Sequence, residues 1–590
     1  MKKMLLLFFG VVLFSASLIH ANTFLEERQY EPVVMRGGVL SEFYNIPINE
    51  IYMYAYNEST EMLELIPFQI DERIRTAFEI DLDGTRKTFE RHYYASKQVK
   101  KTSDDEWVDI VDDGVLDVDD ELVFLAGDLG GIAPEAAWEN INVEGGRRRA
   151  ISVYDPNDMG KFAVGYLVHS KEKKDIPSYY NFSYNRENDT VQNTNYSIRM
   201  ARPSGLISDI SILSPLGSGV DIFDTQKIRI VGLIDLGIAA FTPGLNGLPA
   251  FNDRDNFYIF PQETYLSVTE NPRVRVVREV HQTLRAFDLL FSELGVSFFV
   301  GTKFYPYSGT LEGGASLSPE ILKDMFGDTD DIFIQFNLIR QSWDFNQNAT
   351  GMKFYNLFNN GVAVDGVPDN SVSRSLSSTG PIREWTMMTG NQGTMFAHLV
   401  INDTTFQRAQ LYYHDNKNGG QDDDSFVEGG DTGDGMSYGD NGIKIEESQS
   451  LDLGFTAYFV EKNKDKAFAE QLSYNVQNPV AFNSFIVDVA DAKDDIRPQG
   501  FQLRQNYPNP FNNSTAISFF VPVQSDVKLE IYDMNGRLVK QLVNEKMPAG
   551  QHKVQWNGTD INNETVSTGI YVYKMTTENY QASKKLLLVK

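Results

Sequence analysis

The sequence predicts a mainly β protein whose body is an antiparallel β-sandwich, arranged as separate sandwiches or as one extended super-sandwich. Aromatic residues make up 12% of the chain, and such side chains pack well on pleated sheets. Short apolar or alternating runs such as ELVFLA, RRAISVY and KIRIVGLI dominate. Helical periodicity is best in SPEILKDMF (318–326) and KDKAFAEQLSYNV (464–476).

The first 21 residues have the pattern of a secretory signal peptide. Lys2 and Lys3 precede an apolar run that is too short for a comfortable membrane span, and Ala21 is the preferred cleavage position. No later apolar run is long enough to cross a bilayer. We therefore expect passage through the Sec translocon and a mature protein without a transmembrane helix.

Polar segments divide the rest of the chain. A turn-rich stretch, SKEKKDIPSYYNFSYNRENDTVQNTN, predicts a boundary between a β-rich N-terminal domain (22–180) and a large β-sandwich domain (181–490). Residues 491–505 are predicted to be a linker, and residues 506–590 a separate tail domain.

Charge and cysteine content exclude several classes of function. The chain has no cysteine, which excludes disulfides, thiolate metal ligands and cysteine nucleophiles. Its net charge is −28, and since the segment from residue 501 carries ten basic and seven acidic side chains and the signal peptide two lysines, residues 22–500 hold −33. So acidic a body disfavours nucleic acid as a partner and favours cations, neutral ligands or basic partners.

The tail begins with NYPNPFNN (506–513) and continues as six or seven short strands. In DVKLEIYD (526–533), Val527, Leu529 and Ile531 share one face. Asn-Gly, Ala-Gly and Thr-Gly pairs separate the strands, and Trp556 is expected to fill the core. The pattern predicts a small antiparallel sandwich, held off the body by a stiff, exposed proline hinge.

These motifs resemble the C-terminal sorting domain of type IX secretion substrates (type A), which is similar to the immunoglobulin-like module of the flagellar hook-capping family. The resemblance is carried by Asn506, Tyr507, Pro508, Asn509, Pro510, Phe511, Asn512, Gly536, Arg537, Gly569, Tyr571 and Lys585. Asn513 departs from the family, in which proline is common there. The resemblance implies a C-terminal immunoglobulin-like β-sandwich and export by the type IX machinery. It also implies cargo that is secreted or linked to lipopolysaccharide at the outer cell surface of a Gram-negative bacterium of the Bacteroidota type.

Three acidic segments are candidates either for calcium or for plain structural roles. EIDLDGTRKTFE (79–90) partly fits a calcium loop, but its alternation into an Asp-Gly turn favours a β-hairpin. The carboxylates of residues 109–130 form either a cation site or a solvated acidic turn. In a glycine-rich acidic loop (412–448), the candidate calcium ligands are Asp415, Asp422, Asp424, Asp431 and Asp434.

Catalytic signatures are weak. His398, Tyr412 and His414 are candidates because histidine and tyrosine move protons in polysaccharide cleavage, although the sequence favours a place in a core or on a strand surface for each side chain. The phosphate loop, the dinucleotide-binding glycines, the zinc helix and the nucleophile elbow are absent from the sequence.

Three functions therefore stay open for the body. The first is a surface protein that binds extracellular polysaccharide or serves adhesion. The second is a secreted polysaccharide lyase or glycoside hydrolase. The third is a structural envelope protein. The sequence favours the first.

Overall fold

The computed structural model of the chain is dominated by antiparallel sheets, which confirms the predicted fold class. The structure describes residues 24–82, 85–101, 107–111, 113–201, 205–236, 240–242, 251–252, 257–259, 266–269, 271–286, 289–290, 297–312, 316–317, 332–369, 371–376, 382–401, 408–418, 436–448, 451–452, 454–486, 501–503, 506, 511, 514–521, 524–533, 537–548, 550–561, 565–577 and 580–588. Within this part of the chain, no helix is long and apolar enough to cross a membrane.

The N-terminal part of the body folds around an apolar core between two sheets. Its strands are β1 (Pro32–Arg36), β2 (Ile51–Asn57), β3 (Met62–Leu65), β4 (Gln69–Asp71), β5 (Arg73–Leu82), β6 (Thr85–Tyr94), β7 (Ser96–Lys101), β8 (Trp107–Ile110), β9 (Glu121–Leu125), β10 (Arg148–Asp155) and β11 (Asp158–His169). One sheet has the order β1-β9-β4, and the second contains β3-β2-β11-β10. Phe43, Met53, Phe124 and Leu167 are buried between them. Turns of 3-10 helix lie at Gly37–Val39, Ser41–Phe43, Ile48–Glu50, Ala126–Asp128, Glu135–Trp138 and Glu144–Gly146.

In the described residues of the larger part of the body, the elements are β12 to β35 and one α-helix. The strands are β12 (Ser183–Asn185), β13 (Thr190–Gln192), β14 (Tyr196–Met200), β15 (Ile207–Ile212), β16 (Phe223–Leu236), β17 (Ala240–Phe241), β18 (Phe251–Asn252), β19 (Phe257–Ile259), β20 (Leu266–Val268), β21 (Val276–Ala286), β22 (Leu289–Leu290), β23 (Ser297–Phe304), β24 (Ser308–Glu312), β25 (Ser316–Leu317), β26 (Ile332–Phe345), β27 (Lys353–Asn356), β28 (Asn360–Ala363), β29 (Ile382–Gly390), β30 (Gly393–Ile401), β31 (Arg408–Asn416), β32 (Ser437–Ser448), β33 (Leu451–Asp452), β34 (Gly454–Val460) and β35 (Ala481–Ile486). Helix α1 spans Lys466–Gln477, and a 3-10 turn lies at Gln347–Ala349.

Two sheets of this larger part pack face to face. The short sheet has the order β17-β16-β26-β32-β31, and the long sheet has the order β19-β21-β23-β24-β34-β30-β29-β27-β28. Trp343 of the short sheet meets Phe455 of the long sheet edge-on, with ring centroids 4.5 Å apart. Such aromatic pairs between facing sheets are typical of a sandwich core.

One strand from the far end of the body completes the N-terminal sheet. Strand β35 pairs with β10, so that Arg149 lies opposite Ile486 and Tyr154 opposite Ala481. Residues on both sides of the predicted boundary at position 180 therefore share one sheet. The boundary itself stays a prediction.

A buried arginine joins the same two parts of the body. Arg275, which is 0% exposed, places Nε 2.6 Å from an Asp71 oxygen and Nη2 2.6 Å from a Glu121 oxygen. Burial alone would raise the pKa of Glu121, but Arg275 and its other basic neighbours bring that pKa below its ordinary value. Glu121 was one of the carboxylates expected in a cation site or a solvated turn. It is instead a buried structural anion, since a buried charge needs a partner.

The other local predictions have mixed outcomes. Strands β5 and β6 form a hairpin in which Leu82 lies opposite Thr85, as the alternation in residues 79–90 indicated. The helix predicted at 464–476 is α1, which begins after Asp465, whose side chain accepts a hydrogen bond from the Phe468 amide at 3.0 Å. The helix predicted at 318–326 lies outside the described residues.

The tail is a sandwich of two small sheets. Its strands are β36 (Gln502–Leu503), β37 (Thr515–Val521), β38 (Ser525–Tyr532), β39 (Leu538–Met547), β40 (Gly550–Trp556), β41 (Gly569–Thr576) and β42 (Gln581–Leu588). One sheet has the order β36-β37-β40 and the other β39-β38-β41-β42. Val527, Leu529 and Ile531 all enter the core, together with Trp556, which is 1% exposed. The predicted strands and the predicted core residue are confirmed.

Candidate functional site

The first catalytic candidate, His398, lies on the long sheet and faces away from the sandwich core. Its neighbours Ala397 and Leu399 belong to that core, and successive side chains of a strand point to opposite faces. His398 is buried and lies opposite Trp385 on the neighbouring strand. Helix α1 contributes to covering this face, because its Leu472 packs with Trp385 in one cluster.

The other two candidates lie on the opposite side of the sandwich. On β31, Tyr413 enters the core, so the adjacent Tyr412 and His414 point outward from the short sheet. The guanidinium carbon of Arg340 lies 4.5 Å from the centre of the Tyr412 ring. The structure thus places Tyr412 and His414 on one strand face and does not bring His398 to them. A catalytic role for any of the three stays a prediction.

Among the predicted calcium ligands, Asp415 lies within the described residues, whereas Asp422, Asp424, Asp431 and Asp434 lie outside them. The Asp415 side chain is buried and accepts hydrogen bonds from the backbone amides of Asp365, at 3.0 Å, and Gly366, at 2.9 Å. Burial is the main cause that raises the pKa of Asp415 to about 6, and these two hydrogen bonds only partly oppose it. Asp415 is therefore held against the loop that contains Asp365 and Gly366, which the sequence analysis did not predict as part of a site.

The N-terminal part of the body contains a cleft of about 650 Å³ that we call the acidic cleft. It opens between the β2–β3 turn, the turn at residues 127–131 and Tyr179. Its polar lining consists of Asn57, Glu58, Ser59, Glu64, Asp128 and Tyr179. Lysine, arginine and histidine are absent from the described residues that line it.

Asp128 is the most perturbed carboxyl group of the acidic cleft. Burial raises its pKa to about 7, and the hydrogen bond that it accepts from Tyr180 opposes the shift only in part. The Tyr180 hydroxyl lies 2.9 Å from each Asp128 oxygen. Across the cleft, burial also raises the pKa of Glu58. The cleft is thus a place where a carboxyl group can carry a proton near neutral pH.

Glycines bring the two walls of the acidic cleft together. A Cβ added to Gly130 would lie 2.2 Å from the Tyr56 carbonyl oxygen, and one added to Gly131 would lie 2.3 Å from Glu58 Oε1. Only glycine allows such close approach of a backbone to its neighbours. The stretch Gly127–Gly131 is therefore shaped to hold Asp128 beside β2.

On the opposite wall, Glu64 is held by its own turn. It accepts hydrogen bonds from Asn57 Nδ2 at 3.1 Å and from the Thr60 hydroxyl at 2.8 Å. Tyr179 closes the rim with a side chain that is 50% exposed, and its ring meets that of Tyr180 edge-on at 5.3 Å. An aromatic face and several oxygen acceptors therefore converge on one opening.

In the tail, the proline-asparagine motif is anchored in the core of its own domain. Asn506 is buried, donates its backbone N–H to the Tyr573 hydroxyl at 2.9 Å, and donates Nδ2 to the Thr515 hydroxyl at 2.9 Å. Phe511 is also buried and packs on Trp556 at 5.6 Å. The expectation of an exposed hinge is wrong for these two residues, because the hydrophobic core and its hydrogen bonds hold them. Tyr507, Pro508, Asn509, Pro510 and Asn512 lie outside the described residues.

The remaining motif positions divide between core support and surface. Tyr571 packs edge-on against Trp556 at 5.4 Å and donates its hydroxyl to the Ser567 carbonyl at 2.7 Å. Arg537 is exposed and pairs with Asp533 at 3.2 Å. Gly569 is the first residue of β41, and Lys585 is exposed on β42 opposite Val572. Gly536 lies outside the described residues.

Comparison with protein families decides what this tail is. Residues 505–590 match the family described as secretion system C-terminal sorting domain. The tail is a type IX sorting domain. It marks the chain for export by the type IX secretion machinery to the cell surface or the extracellular space.

The matches of the whole chain carry less information about the body. No curated protein sequence matches the chain. Dimeric latent PorU from Porphyromonas gingivalis is 12% identical over 72% of this chain and 35% of PorU, with a TM-score of 0.14. PorZ from the same bacterium, described as an essential surface component of the type IX secretion system, is 11% identical over 67% of this chain and 74% of PorZ, also with a TM-score of 0.14. The chain thus spans only about a third of PorU, and neither TM-score indicates a shared fold.

Sequence reasoning missed the residues that form the acidic cleft. Glu58, Glu64 and Tyr179 lie far from Asp128 along the chain, so that only the pairing of β2 with its neighbours brings them together. One local signal was available. The run Gly-Asp-Leu-Gly-Gly (127–131) directly after an apolar strand indicates a close backbone approach beside a carboxylate.

Proposed function

We propose that this chain is an exported surface or extracellular protein whose body binds neutral glycan in the acidic cleft. The observation that carries the proposal is the combination of Tyr179, a half-exposed aromatic ring, with the carboxylates of Glu58, Glu64 and Asp128 in one opening. Sugar rings present apolar faces that stack on aromatic side chains, and their hydroxyl groups donate hydrogen bonds to carboxylate and amide oxygens.

Charge supports a neutral ligand over an anionic one. The described lining of the acidic cleft offers carboxylates and no basic side chain, and the body as a whole is strongly acidic. A uronic acid or a sulfated sugar would place like charges together in a partly buried site, which is unfavourable. The size of the cleft, about 650 Å³, lies within the range of small-ligand sites.

The test is a binding measurement on the full chain with neutral and anionic polysaccharides, comparing Tyr179→Ala with a matched control. Phe358→Ala is the control, because Phe358 is a comparably exposed aromatic residue, 45% against 50%, and does not line the cleft. We expect a neutral polymer to bind, Tyr179→Ala to weaken binding by about tenfold, and Phe358→Ala to leave it unchanged. A tenfold loss corresponds to about 1.4 kcal/mol, which is within the range of an aromatic contact. Preference for anionic polymers, or equal loss in both variants, would overturn the proposal.

A second function, glycoside hydrolysis, is favoured by the raised pKa of Asp128 in a cleft that holds other carboxylates. A general acid in a glycosidase needs a carboxyl group that keeps its proton near neutral pH, together with a second carboxylate. Asp128, with a pKa raised to about 7 by burial, and Glu58 or Glu64 supply those two groups. Release of reducing ends from a neutral polymer, lost in Asp128→Asn while binding persists, would support this enzyme. Binding of the polymer without release of reducing ends would support a glycan-binding protein that has no hydrolase activity on that polymer.

We also propose the remaining steps of the export route. The predicted signal peptide, residues 1–21, would take the chain through the Sec translocon. The sorting domain would then deliver the body across the outer membrane, where attachment to lipopolysaccharide would hold it at the surface. Mass spectrometry of the mature protein in culture medium and in outer membranes would identify both ends of the chain and any attached group.

A further inference from the structure

A buried lysine and a buried aspartate meet on β16 and β26, two neighbouring strands of the short sheet. Nζ of Lys227 lies 2.9 Å from Oδ2 of Asp344, and the two side chains are 2% and 1% exposed. Ile228 and Trp343, which directly follow and precede them in the chain, belong to the sandwich core. Lys227 and Asp344 therefore lie on the outer face of the sheet, and that face is closed to water at this point.

The burial of this lysine sets the pair apart from ordinary lysine ion pairs. The pair between Lys161 and Glu27 is of similar length, 2.7 Å, but its side chains are 27% and 28% exposed. Lysine is almost never fully buried unless it is paired, and the removal of two charges from water is costly even for a pair. Conversion of the Lys227–Asp344 pair into a neutral amide would remove both buried charges.

A second buried carboxyl group lies beside the pair on the next strand, β32. Asn441 of β32 lies opposite Trp343 of β26, so that Asp440 and Asp344, one position further on, are cross-strand neighbours on the outer face. Such neighbours have Cβ atoms about 4.5–5.5 Å apart. Asp440 is 0% exposed. Three consecutive strands thus bring one amine and two carboxyl groups to a single place without water.

We infer that Lys227 and Asp344 form an intramolecular amide bond and that Asp440 transfers the proton. The lone pair of the neutral Lys227 amine attacks Cγ of the protonated Asp344 carboxyl group, and the C–N bond forms. Asp440 accepts a proton from the nitrogen and donates one to the departing hydroxyl group, so that the C–O bond breaks and one water leaves. The reaction consumes only the two side chains, and Asp440 ends in the state in which it began.

The surroundings of the pair favour this reaction. Cγ of Asp344 is bonded to the oxygen that Nζ contacts, which places the reacting atoms near the separation of about 3–3.5 Å from which attack occurs. Arg229, two residues after Lys227 on the same strand face, is 1% exposed, and a like charge disfavours the ammonium form of the lysine. The neighbouring carboxyl groups of Asp344 and Asp440 likewise favour the sharing of one proton.

A bond of this kind would give an exported protein a covalent link without cysteine. Disulfides serve that purpose in many extracellular proteins, but the chain has no cysteine. The amide would join β16 to β26 in the short sheet. It is independent of the glycan proposal, because neither Lys227 nor Asp344 lines the acidic cleft.

The test is mass spectrometry of the full chain, purified as a folded protein. We expect an intact mass that is lower by one water than the mass calculated from the mature sequence, and a tryptic digest in which two peptides are joined through Lys227 and Asp344. Trypsin should not cleave after Lys227, because an acylated lysine carries no positive charge. Lys161 and Glu27 are the matched control in the same digest and should appear in unlinked peptides.

Two variants test the assigned roles. Lys227→Arg keeps the positive charge but lacks the primary amine, so that it should have the full calculated mass and unlinked peptides. Asp440→Asn keeps the size of the side chain but cannot accept and return a proton, and it should lower the linked fraction at least about tenfold. A circular dichroism spectrum would verify that each variant is folded.

Three results would count against the assignment. The full calculated mass and separate peptides in the unmodified folded chain would overturn the amide bond, and this measurement does not depend on the folding of any variant. Loss of one water that persists in Lys227→Arg would place the link elsewhere and overturn it as well. A linked fraction that is unchanged in Asp440→Asn would overturn the role of Asp440 in proton transfer.

Discussion

The tail and the body are both sandwiches, but different forces hold them together. The tail core is apolar and is built by strands that follow one another closely, such as β37 and β38 around Trp556. The body depends in addition on ion pairs between distant positions, such as Arg275 and Asp71, which are 204 residues apart. Short-range alternation can be read along a sequence, whereas a buried ion pair between distant strands cannot.

The largest effect is expected from breaking the ion pairs of Arg275. In Arg275→Ala, Asp71 and Glu121 keep their buried charges without the cation between them, which costs about 4 kcal/mol. Calorimetric unfolding of the full chain should show the body transition move to lower temperature and the tail transition stay in place.

The control for this variant is Arg408→Ala. Arg408 pairs with Glu446 at 3.1 Å, but its side chain is 73% exposed, and exposed ion pairs contribute about 0–1 kcal/mol. If Arg275→Ala and Arg408→Ala lowered the unfolding temperature of the body equally, the buried ion pairs would be no more important for stability than an exposed one. That result would contradict the proposed role of buried ion pairs in the body.

The tail should respond to the loss of apolar volume. Trp556→Ala removes the residue on which Phe511 and Tyr571 pack, and such truncations of a core aromatic cost about 3 kcal/mol or more. We expect unfolding of the tail at a lower temperature, together with retention of the protein inside cells that carry the type IX machinery.

Leu538→Ala is the matched control in the tail, because Leu538 is 38% exposed on β39. It should change neither the tail transition nor export. Normal secretion of Trp556→Ala would contradict the view that the folded sandwich is the signal for export.

The contrast extends to what the sequence could predict. The strands of the tail, its core tryptophan and its family all follow from local patterns, since Val527, Leu529 and Ile531 lie two residues apart. The hairpin of β5 and β6 and helix α1 were predictable for the same reason. The role of Asn506 was not, because its hydrogen bonds go to Thr515 and to Tyr573, 67 residues away.

The candidate sites of the body were also hard to predict because they depend on contacts between residues that are distant in sequence. Asp415 was nominated from its acidic surroundings, but its partners in the loop at residues 364–369 became visible only through backbone hydrogen bonds across the strand edge. Asp128 stood in a stretch already marked as acidic, yet Glu58 and Tyr179 reach it from other elements. Tertiary pairing, rather than any sequence spacing, forms both sites.

The smallest of the expected stability effects is a dependence on pH. Burial raises the pKa of Asp128 to about 7 in the folded protein from an ordinary value of 3.8. The stability that this group contributes is therefore fully present below about pH 4 and is lost as the pH rises through about 7. Asp128→Asn keeps an oxygen that accepts the Tyr180 hydrogen bond and should be more stable than the unmodified chain at pH 8, by on the order of 2 kcal/mol.

In the tail, the stability that Glu530 contributes depends on pH in the opposite direction. Although burial acts to raise the pKa of Glu530, hydrogen bonds from Tyr532 and Lys528 bring it below its ordinary value, so its contribution is lost as the pH falls. Chemical denaturation at pH 5 and pH 8 would measure the free energy of unfolding of Asp128→Asn and of the unmodified chain. A stability difference between Asp128→Asn and the unmodified chain that does not change with pH would contradict a raised pKa for Asp128.

Hydrogen exchange with and without a neutral polysaccharide would show whether the acidic cleft is the ligand-binding surface of the body. We expect slower exchange of backbone amides in residues 54–66 and 126–131, with no change in β37 to β42 of the tail. Protection of the sandwich faces around Tyr412 or His398, with unchanged exchange at the cleft, would contradict it.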